Sequence, residues 1–295
     1  MKVASGQWSV VRKAKKVVSD QWTKGTEVPF VVRKALVTGH WSLVTVFLLV
    51  LVTGHWPLTT VVFAEQKQIT IAAAADLSFA LKEISQKFER DTGIKVALSF
   101  GSTGMLARQI ENGAPFDIFF AASEKYIDEL KDKGLIISDT KKLYAQGRIV
   151  LAVNKKSDVH AKKLEDLLNP SIKKIAIANP DHAPYGIAAM EALKKLNLWD
   201  ALKPKLVYGE NIRQALQYIQ TGNAQAGIIA LSVAGAPEIT WTLIDHNIHN
   251  PINQAAAVIK TTKAEKEARE FINYVNGPHS RPIMKKYGFI LPGEF

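Results

Sequence analysis

The feature that most constrains the fold of this chain is a regular alternation, beginning after Gln68, of short apolar runs with amphipathic segments. Residues 69–73 have the character of a buried strand, and Leu81, Ile84 and Phe88 recur at the spacing of a helix face. Strands that alternate with helices predict an α/β fold with a mostly parallel sheet and helices on both of its faces. The first series has predicted strands at 69–73, 95–100 and 117–121 and predicted helices at 77–90, 105–111 and 124–131.

A second series of the same kind begins near Arg148. Its predicted strands are 149–154, 174–178, 205–208 and 226–230, its helices are 163–168, 187–196 and 212–220, and a strand at 255–259 with helices at 264–275 and 280–286 follows. Because no Pro/Gly-rich linker separates the two series, we expect two lobes joined by continuous strands. We assign residues 65–146 and 255–295 to lobe I and residues 147–254 to lobe II. A ligand of such sheets is expected in the cleft at the carboxyl ends of the strands.

The charge of the chain is unevenly distributed. The formal net charge is +11, but residues 1–64 supply +6 of it, from eight Lys/Arg and two Asp/Glu. The remaining 231 residues hold 30 basic and 25 acidic groups that are interspersed rather than clustered with aromatic residues, which argues against nucleic-acid binding. The absence of cysteine excludes disulfides, thiolate metal ligands, cysteine nucleophiles and a lipid-modified cysteine anchor.

The N-terminal region has the layout of an export signal. Residues 35–64 carry no charge, follow Arg33-Lys34, and end in the small-residue site Val62-Phe63-Ala64. We interpret this run as a secretory signal, because glycine and proline interrupt it; the alternative is a transmembrane anchor, which its length permits. The protein is therefore expected in the periplasm, or tethered to the membrane if the signal is not cleaved.

The first 64 residues also contain near-copies of short segments. Leu36-Val-Thr-Gly-His-Trp recurs at Leu51, and Ser5-Gly-Gln-Trp8 is echoed at Ser19. Repeats of this length do not form a supersecondary unit and so do not indicate a solenoid. Residues 1–64 are accordingly interpreted as a low-complexity extension followed by the signal.

Small residues stand at several of the predicted strand-to-helix junctions. Gly101-Ser102-Thr103-Gly104 closes one strand and opens a helix, Ala72 to Asp76 ends another, 179–186 precedes a third helix, and Gly209-Glu-Asn-Ile212 starts a fourth. Such junctions bring free backbone N–H groups, hydroxyl groups and helix dipoles to one edge of a sheet. Four of them facing one cleft favour a compact dianion without any basic residue. Each junction alone is also an ordinary capped loop.

Taken together, these motifs resemble one known family. The run Ala-Ala-Ala-Asp-Leu, the turn Gly-Ser-Thr-Gly, residues 112–124, Ala-Pro-Tyr-Gly at 183–186 and Lys286-Tyr-Gly-Phe289 occur in the order typical of the periplasmic molybdate-binding proteins of ABC transporters. The resemblance covers about residues 67–292. It implies a two-lobed type II periplasmic binding fold that closes on molybdate or tungstate in the cleft between the lobes, and delivery of the ion to a membrane ABC permease.

The resemblance also implies the ligand contacts. They are Ala75, Asp76, Ser102, Thr103, Tyr185, Asn211 and Ile212. Molybdenum or tungsten is then bound only as the oxyanion, without direct metal ligation, and neither a cofactor nor a catalytic residue is expected. The protein is expected to act as a monomer.

Asp76 departs from the family pattern, which has a hydroxyl or amide residue at this position in many relatives. An ionised carboxylate only accepts hydrogen bonds and repels a fully deprotonated oxyanion, whereas a phosphate that carries one proton would welcome it. We expect Asp76 to cap the helix that follows and to turn its own N–H toward the ligand. Two alternatives remain open, namely a receptor for phosphate, sulfate or another oxyanion, and an α/β hydrolase of phosphate or sulfate esters.

Overall fold

The computed structural model describes residues 67–295, so the predicted low-complexity extension and signal at 1–64 lie outside the described residues. Within 67–295, none of the helices combines the length and the apolar character that crossing a membrane requires. The strands are β1 (Gln68–Ala74), β2 (Lys95–Gly101), β3 (Ile118–Ala121), β4 (Lys142–Gly147), β5 (Ile149–Asn154), β6 (Ile175–Ala178), β7 (Leu206–Gly209), β8 (Ala226–Ala230), β9 (Ile239–Leu243) and β10 (Ile252–Val258). The α-helices are α1 (Ala80–Thr92), α2 (Thr103–Glu111), α3 (Glu124–Asp132), α4 (Pro184–Lys195), α5 (Trp199–Leu202), α6 (Ile212–Gln220), α7 (Glu265–Asn276) and α8 (Arg281–Lys286).

The strands form two five-stranded sheets, which confirms the predicted two-lobed α/β fold. The sheet of lobe I has the order β2-β1-β3-β10-β4, and the sheet of lobe II has the order β7-β6-β8-β5-β9. Apolar residues are buried on both faces of the first sheet, in one cluster that includes Ile71 and Phe120 and another that includes Leu106 and Phe119. Each large apolar side chain removed from water in this way contributes about 1.5–3 kcal/mol.

Each sheet is mostly parallel, as predicted, except for one strand that runs against the other four. In lobe I, β1 is parallel to β2 and β3, but β10 is antiparallel to both β3 and β4. In lobe II, β6 is parallel to β7 and β8, but β5 is antiparallel to β8 and β9. For two consecutive strands to be parallel, the connection between them must return the chain to the end of the sheet where the first strand began. β5 and β10 arrive instead directly from the other lobe, and so they run in the opposite direction.

The chain passes between the lobes at two places. Arg148 alone separates β4 from β5, and residues 244–251 connect β9 to β10. Gly147 and residues 252–254, which the sequence assigned to lobe II, therefore belong to strands of the lobe I sheet. The guanidinium group of Arg148 donates to the Gly288 carbonyl from Nε (3.0 Å) and Nη2 (2.8 Å), which attaches the C-terminal motif to the first crossing.

Candidate functional site

Six of the seven predicted site residues line one small cavity between the lobes. They are Ala75, Asp76, Ser102, Thr103, Tyr185 and Ile212, and the remaining lining residues are Ala74, Gly101, Ala122, Ala183 and Pro184. The cavity has a volume of about 10 Å³ and its six predicted residues are all buried. This space holds about one water molecule, so a small separation of the lobes would admit a compact ligand but not a sugar, a nucleotide or a peptide. A ligand can enter only if the lobes separate.

Strand ends and helix starts bring these residues together. Lobe I contributes the carboxyl ends of β1, β2 and β3, and lobe II contributes the first turns of α4 and α6. α2 begins after the N-cap Ser102, and α4 begins with Pro184, whose missing N–H costs nothing at the first helical position. In each helix the first N–H groups have no acceptor within the helix. Other contacts take those of Gly104, Met105, Arg213 and Gln214, and those of Thr103, Tyr185 and Ile212 remain available to a ligand.

Asn211 is the predicted residue that does not line the cavity. Its side-chain oxygen accepts hydrogen bonds from the N–H groups of Arg213 (3.0 Å) and Gln214 (3.2 Å), as an N-cap residue does. The following residue, Ile212, reaches the cavity at the start of α6. Asn211 thus fixes where α6 begins and so places Ile212 at the cavity.

Thr103 has one free hydrogen-bonding direction. Its hydroxyl oxygen accepts the backbone N–H of Ala122 at 3.1 Å, in a buried contact between the start of α2 and the segment after β3. With the oxygen held in this way, the hydroxyl proton remains available to donate into the cavity. The contact therefore leaves the Thr103 hydroxyl able to donate to a ligand.

Asp76, Tyr185 and Gln254 form a buried hydrogen-bonded cluster beside the cavity. The Tyr185 hydroxyl donates to Asp76 Oδ2 at 2.9 Å, and Gln254 Nε2 donates to Asp76 Oδ2 and to the Tyr185 hydroxyl, both at 2.8 Å. The Ser232 hydroxyl donates to the backbone carbonyl of Asp76. The cluster joins β10 and the turn after β1 in lobe I to α4 in lobe II.

The Asp76 carboxyl group does not cap the following helix, so that prediction is wrong. Residues Ala75–Leu77 form a short 3-10 turn, and α1 begins only at Ala80 without a side-chain cap. Burial raises the pKa of Asp76 to about 6, against the lowering effect of the hydrogen bonds from Gln254 and Tyr185. The N–H groups of Asp76 and Leu77 also lower this pKa, although neither reaches hydrogen-bond geometry with the unpaired oxygen Oδ1.

Ser102 is engaged between the lobes rather than with the cavity. Its hydroxyl is hydrogen-bonded to His182 Nδ1 at 2.7 Å and accepts the Met105 N–H at 3.4 Å. The neighbouring Gly104 N–H donates to the His182 carbonyl at 2.9 Å. A Cβ at position 104 would lie 2.9 Å from that carbonyl oxygen, so only glycine allows this approach of the two lobes.

Several residues of the site were missed by the sequence analysis. Gln254 was placed just outside a predicted strand that in fact begins at Ile252, and Ala122 just beyond the end of another. The signal for Gln254 is a polar residue directly before the apolar run Ala255–Ala257. His182 had no signal of its own, because its role depends on the distance between the lobes.

A wider surface depression lies elsewhere on the molecule. It has a volume of about 560 Å³ and is lined by Glu124, Asp128, Glu129 and Asp132 among others. Its acidic side chains disfavour an anionic ligand, and its width disfavours a small ligand. The buried cavity between the lobes is therefore the better candidate, although it is much smaller.

Two α/β lobes that enclose a buried cavity of hydrogen-bond donors define a ligand-binding protein that closes around its ligand. Residues 69–290 match the family described as bacterial extracellular solute-binding protein, and the chain belongs to this family.

The similar proteins bear this out. The chain is 37% identical over 231 residues to the molybdate-binding protein ModA of Azotobacter vinelandii, and this alignment covers 77% of this chain and 91% of that relative. It is also 36% identical to a putative ABC transporter substrate-binding lipoprotein of Bacillus subtilis, and the alignment spans 75% of this chain and 85% of that relative. The solved structure of the Azotobacter vinelandii periplasmic molybdate-binding protein superposes with a TM-score of 0.72 and 31% identity, covering 76% of this chain and 99% of that structure.

Proposed function

We propose that this protein is an extracytoplasmic receptor that binds molybdate or tungstate in the cavity between its lobes and delivers the ion to a membrane ABC permease. It is a binding protein and not an enzyme. The observation that carries the proposal is the buried cavity lined by six of the predicted residues. The names of the similar proteins support molybdate as the ligand and a permease as the partner.

The cavity offers donors and no basic side chain. None of its lining residues is Lys, Arg or His. The Thr103 hydroxyl and backbone N–H groups near Ala75, Asp76 and Ile212 supply hydrogen bonds that a tetrahedral dianion needs, and the Tyr185 hydroxyl joins them when the ion replaces Asp76 Oδ2 as its acceptor. Helix N-termini add partial positive charge to this environment. Ser102 acts beside this set by holding the turn before α2.

Selectivity follows from size and from the number of donors. The metal–oxygen bonds of molybdate and tungstate are longer than the S–O bonds of sulfate and the P–O bonds of phosphate. A closed cavity fitted to the larger ions leaves donors unpaired around the smaller ones, at a cost of about 1–3 kcal/mol for each buried donor. Donors that discriminate between oxyanions by size do not discriminate between molybdate and tungstate, because these two ions are nearly equal in size. We therefore propose both as ligands.

The setting of the receptor is part of the proposal. Residues 1–64 direct export through the signal, and residues 65–295 act outside the cytoplasm as a monomer. Release from the membrane depends on cleavage after Ala64. Sequencing the N-terminus of the mature protein tests this, with Glu65 as the expected first residue.

Calorimetric titration tests the ligand. We expect tight, saturable binding of molybdate and tungstate with one site per chain, and at least 100-fold weaker binding of sulfate and phosphate. Stronger binding of sulfate or phosphate than of molybdate would contradict the proposal. Incubation with phosphate and sulfate esters is the second arm, and sustained turnover would favour the hydrolase instead.

Replacing Tyr185 with Phe is expected to weaken molybdate binding roughly 10-fold, because a hydrogen bond to a charged group contributes about 1.5–3 kcal/mol and Gln254 partly takes its place. The measurement is a calorimetric titration of Tyr185→Phe. Tyr208→Phe is the matched control, because Tyr208 is a half-exposed tyrosine of lobe II away from the cavity. Equal affinities for the two variants would count against a contact at Tyr185.

Replacing His182 with Ala is expected to increase the rate of molybdate dissociation roughly 3- to 10-fold. The substitution removes the hydrogen bond to Ser102 that joins the lobes, and one such bond contributes about 0.5–1.5 kcal/mol. Stopped-flow measurement of release into excess tungstate reports the rate. His246→Ala, at an exposed position, is the control. An unchanged rate for His182→Ala would show that this contact does not hold the lobes together.

A further inference from the structure

The Asp76 carboxyl group has one hydrogen-bonded oxygen and one without a partner. Oδ2 accepts from the Tyr185 hydroxyl and from Gln254 Nε2, at 2.9 and 2.8 Å. Oδ1 is buried and has no hydrogen-bond partner among the described residues. Asp76 lines the cavity and only 1% of its surface is exposed. The side chain with the unpaired oxygen therefore lies where the proposed oxyanion binds.

No positive charge offsets this carboxyl group. Asp76 takes part in no ion pair among residues 67–295, and the titratable groups that face it are the hydroxyls of Tyr185 on α4 and Tyr144 on β4. The other elements packed against it contribute neutral groups, Gln254 from β10 and Ser232 from the turn after β8. Arg213 is the charged residue of α6, and its guanidinium group lies over the Phe79 ring, 4.5 Å from the centroid.

A fully deprotonated oxyanion and an ionised carboxylate are incompatible neighbours in a buried cavity. Each of them only accepts hydrogen bonds, and their charges repel without water to screen them. A single proton placed between them removes both problems, because it neutralises the carboxylate and creates a donor. Molybdate is itself deprotonated at neutral pH, so the proton resides on the carboxyl group.

We propose that Asp76 takes up one proton when the oxyanion binds, and that the resulting Oδ1–H group donates a hydrogen bond to the bound ion. This inference rests on the proposed function. The proton comes from bulk solvent and adds to Oδ1, while Oδ2 keeps the hydrogen bond from Gln254 and the Tyr185 hydroxyl turns to the ion. Gln254 is a positioning residue, because its two N–H groups hold Oδ2 and the Tyr185 hydroxyl in place and thereby leave Oδ1 to carry the proton.

The ionisation of Asp76 supports this assignment. Burial raises its pKa to about 6 in the protein without ligand, and an adjacent dianion raises it further. Between these two pKa values the free protein is ionised and the complex is protonated, so binding takes up a proton. Affinity must then fall as the pH rises through this window, by up to tenfold per pH unit.

Calorimetry in buffers that differ in ionisation enthalpy measures the proton directly. Molybdate is titrated into the full mature protein between pH 7 and 9, where the ligand has no protonation change of its own. For the wild type we expect uptake of about one proton per ion near pH 7.5, and a dissociation constant that rises with pH. In Asp76→Asn, an amide supplies the donor permanently, so we expect no uptake and a flat pH profile.

A second measurement observes the carboxyl group itself. The infrared difference spectrum on adding molybdate is expected to show the carbonyl band of a protonated acid in the wild type and to lack it in Asp76→Asn. Molybdate binding without proton uptake, or a pH dependence that persists in Asp76→Asn, would overturn the inference and leave the receptor function intact. Absence of molybdate binding by the wild type would overturn both.

Discussion

Replacing Thr103 with Val is expected to weaken molybdate binding roughly 10- to 150-fold. The substitution keeps the shape of the side chain but removes the hydroxyl that accepts the Ala122 N–H and donates into the cavity. The lost hydrogen bond to a charged ligand contributes about 1.5–3 kcal/mol to binding. The orphaned Ala122 N–H lies within lobe I and lowers the stability of the protein with and without ligand. A calorimetric titration of Thr103→Val with molybdate measures the effect.

Thr103→Ser is the matched control for this prediction. Serine retains the hydroxyl and loses only a methyl group, so we expect its affinity to stay within about 5-fold of the wild type, since one methyl group contributes about 0.8 kcal/mol. Thermal unfolding without ligand separates the structural cost of the unpaired N–H from the loss of the ligand contact. An affinity of Thr103→Val within a factor of three of the wild type would exclude Thr103 as a ligand donor.

Replacing Gly147 with Ala is expected to weaken molybdate binding by up to about 100-fold. Gly147 ends β4 directly before the chain crosses to lobe II, and a Cβ there would overlap the Tyr185 hydroxyl and lie 2.9 Å from Gln254 Nε2. Tyr185 is buried, so the overlap disrupts its contacts with Asp76 and Gln254. Overpacking of this kind costs about 1–3 kcal/mol. Because Gly147 is in lobe I and Tyr185 is in lobe II, the cost applies to the closed form of the protein, which is the form proposed to hold the ion.

Two further variants make this prediction specific. Gly235→Ala is the control, because a Cβ at that position meets no atom within 4 Å and is expected to leave binding unchanged. In a Tyr185→Phe background the hydroxyl that the added methyl group would strike is absent, so Gly147→Ala should cost less there than in the wild type. Additive losses in this double-mutant cycle would show that Gly147 acts independently of Tyr185.

Element types were largely predictable from local patterns. The apolar spacing in 77–90 predicted a helix, and the structure has one at Ala80–Thr92 after a short 3-10 turn. The strand at 149–154 was predicted with the bounds that the structure gives it. These features depend on periodicity and burial within one segment, which a sequence displays directly. Strand direction was not predictable in the same way, because it depends on the side from which the chain enters each sheet.

In the cavity, too, some features were predictable from the sequence and others were not. Backbone donors at the ends of β1 and β2 follow from small residues at strand-to-helix junctions, and these are visible in the sequence. The partners of Asp76 are not, because Tyr185 lies 109 positions away from it and Gln254 lies 178 positions away. The expectation of a helix cap at Asp76 relied on the nearest backbone groups, whereas burial between the lobes gave the carboxyl group other partners.

The sequence by itself determined the two α/β series, the junctions that carry free N–H groups, and the family to which the chain belongs. The tertiary structure decided how these parts meet: the mixed direction of the strands, the Ser102–His182 contact, and the hydrogen bonds of Asp76. The physical reason is that helices and strands are specified by interactions between residues close in sequence. The site is specified by the distances between two lobes, which within residues 67–295 are connected at Arg148 and at 244–251.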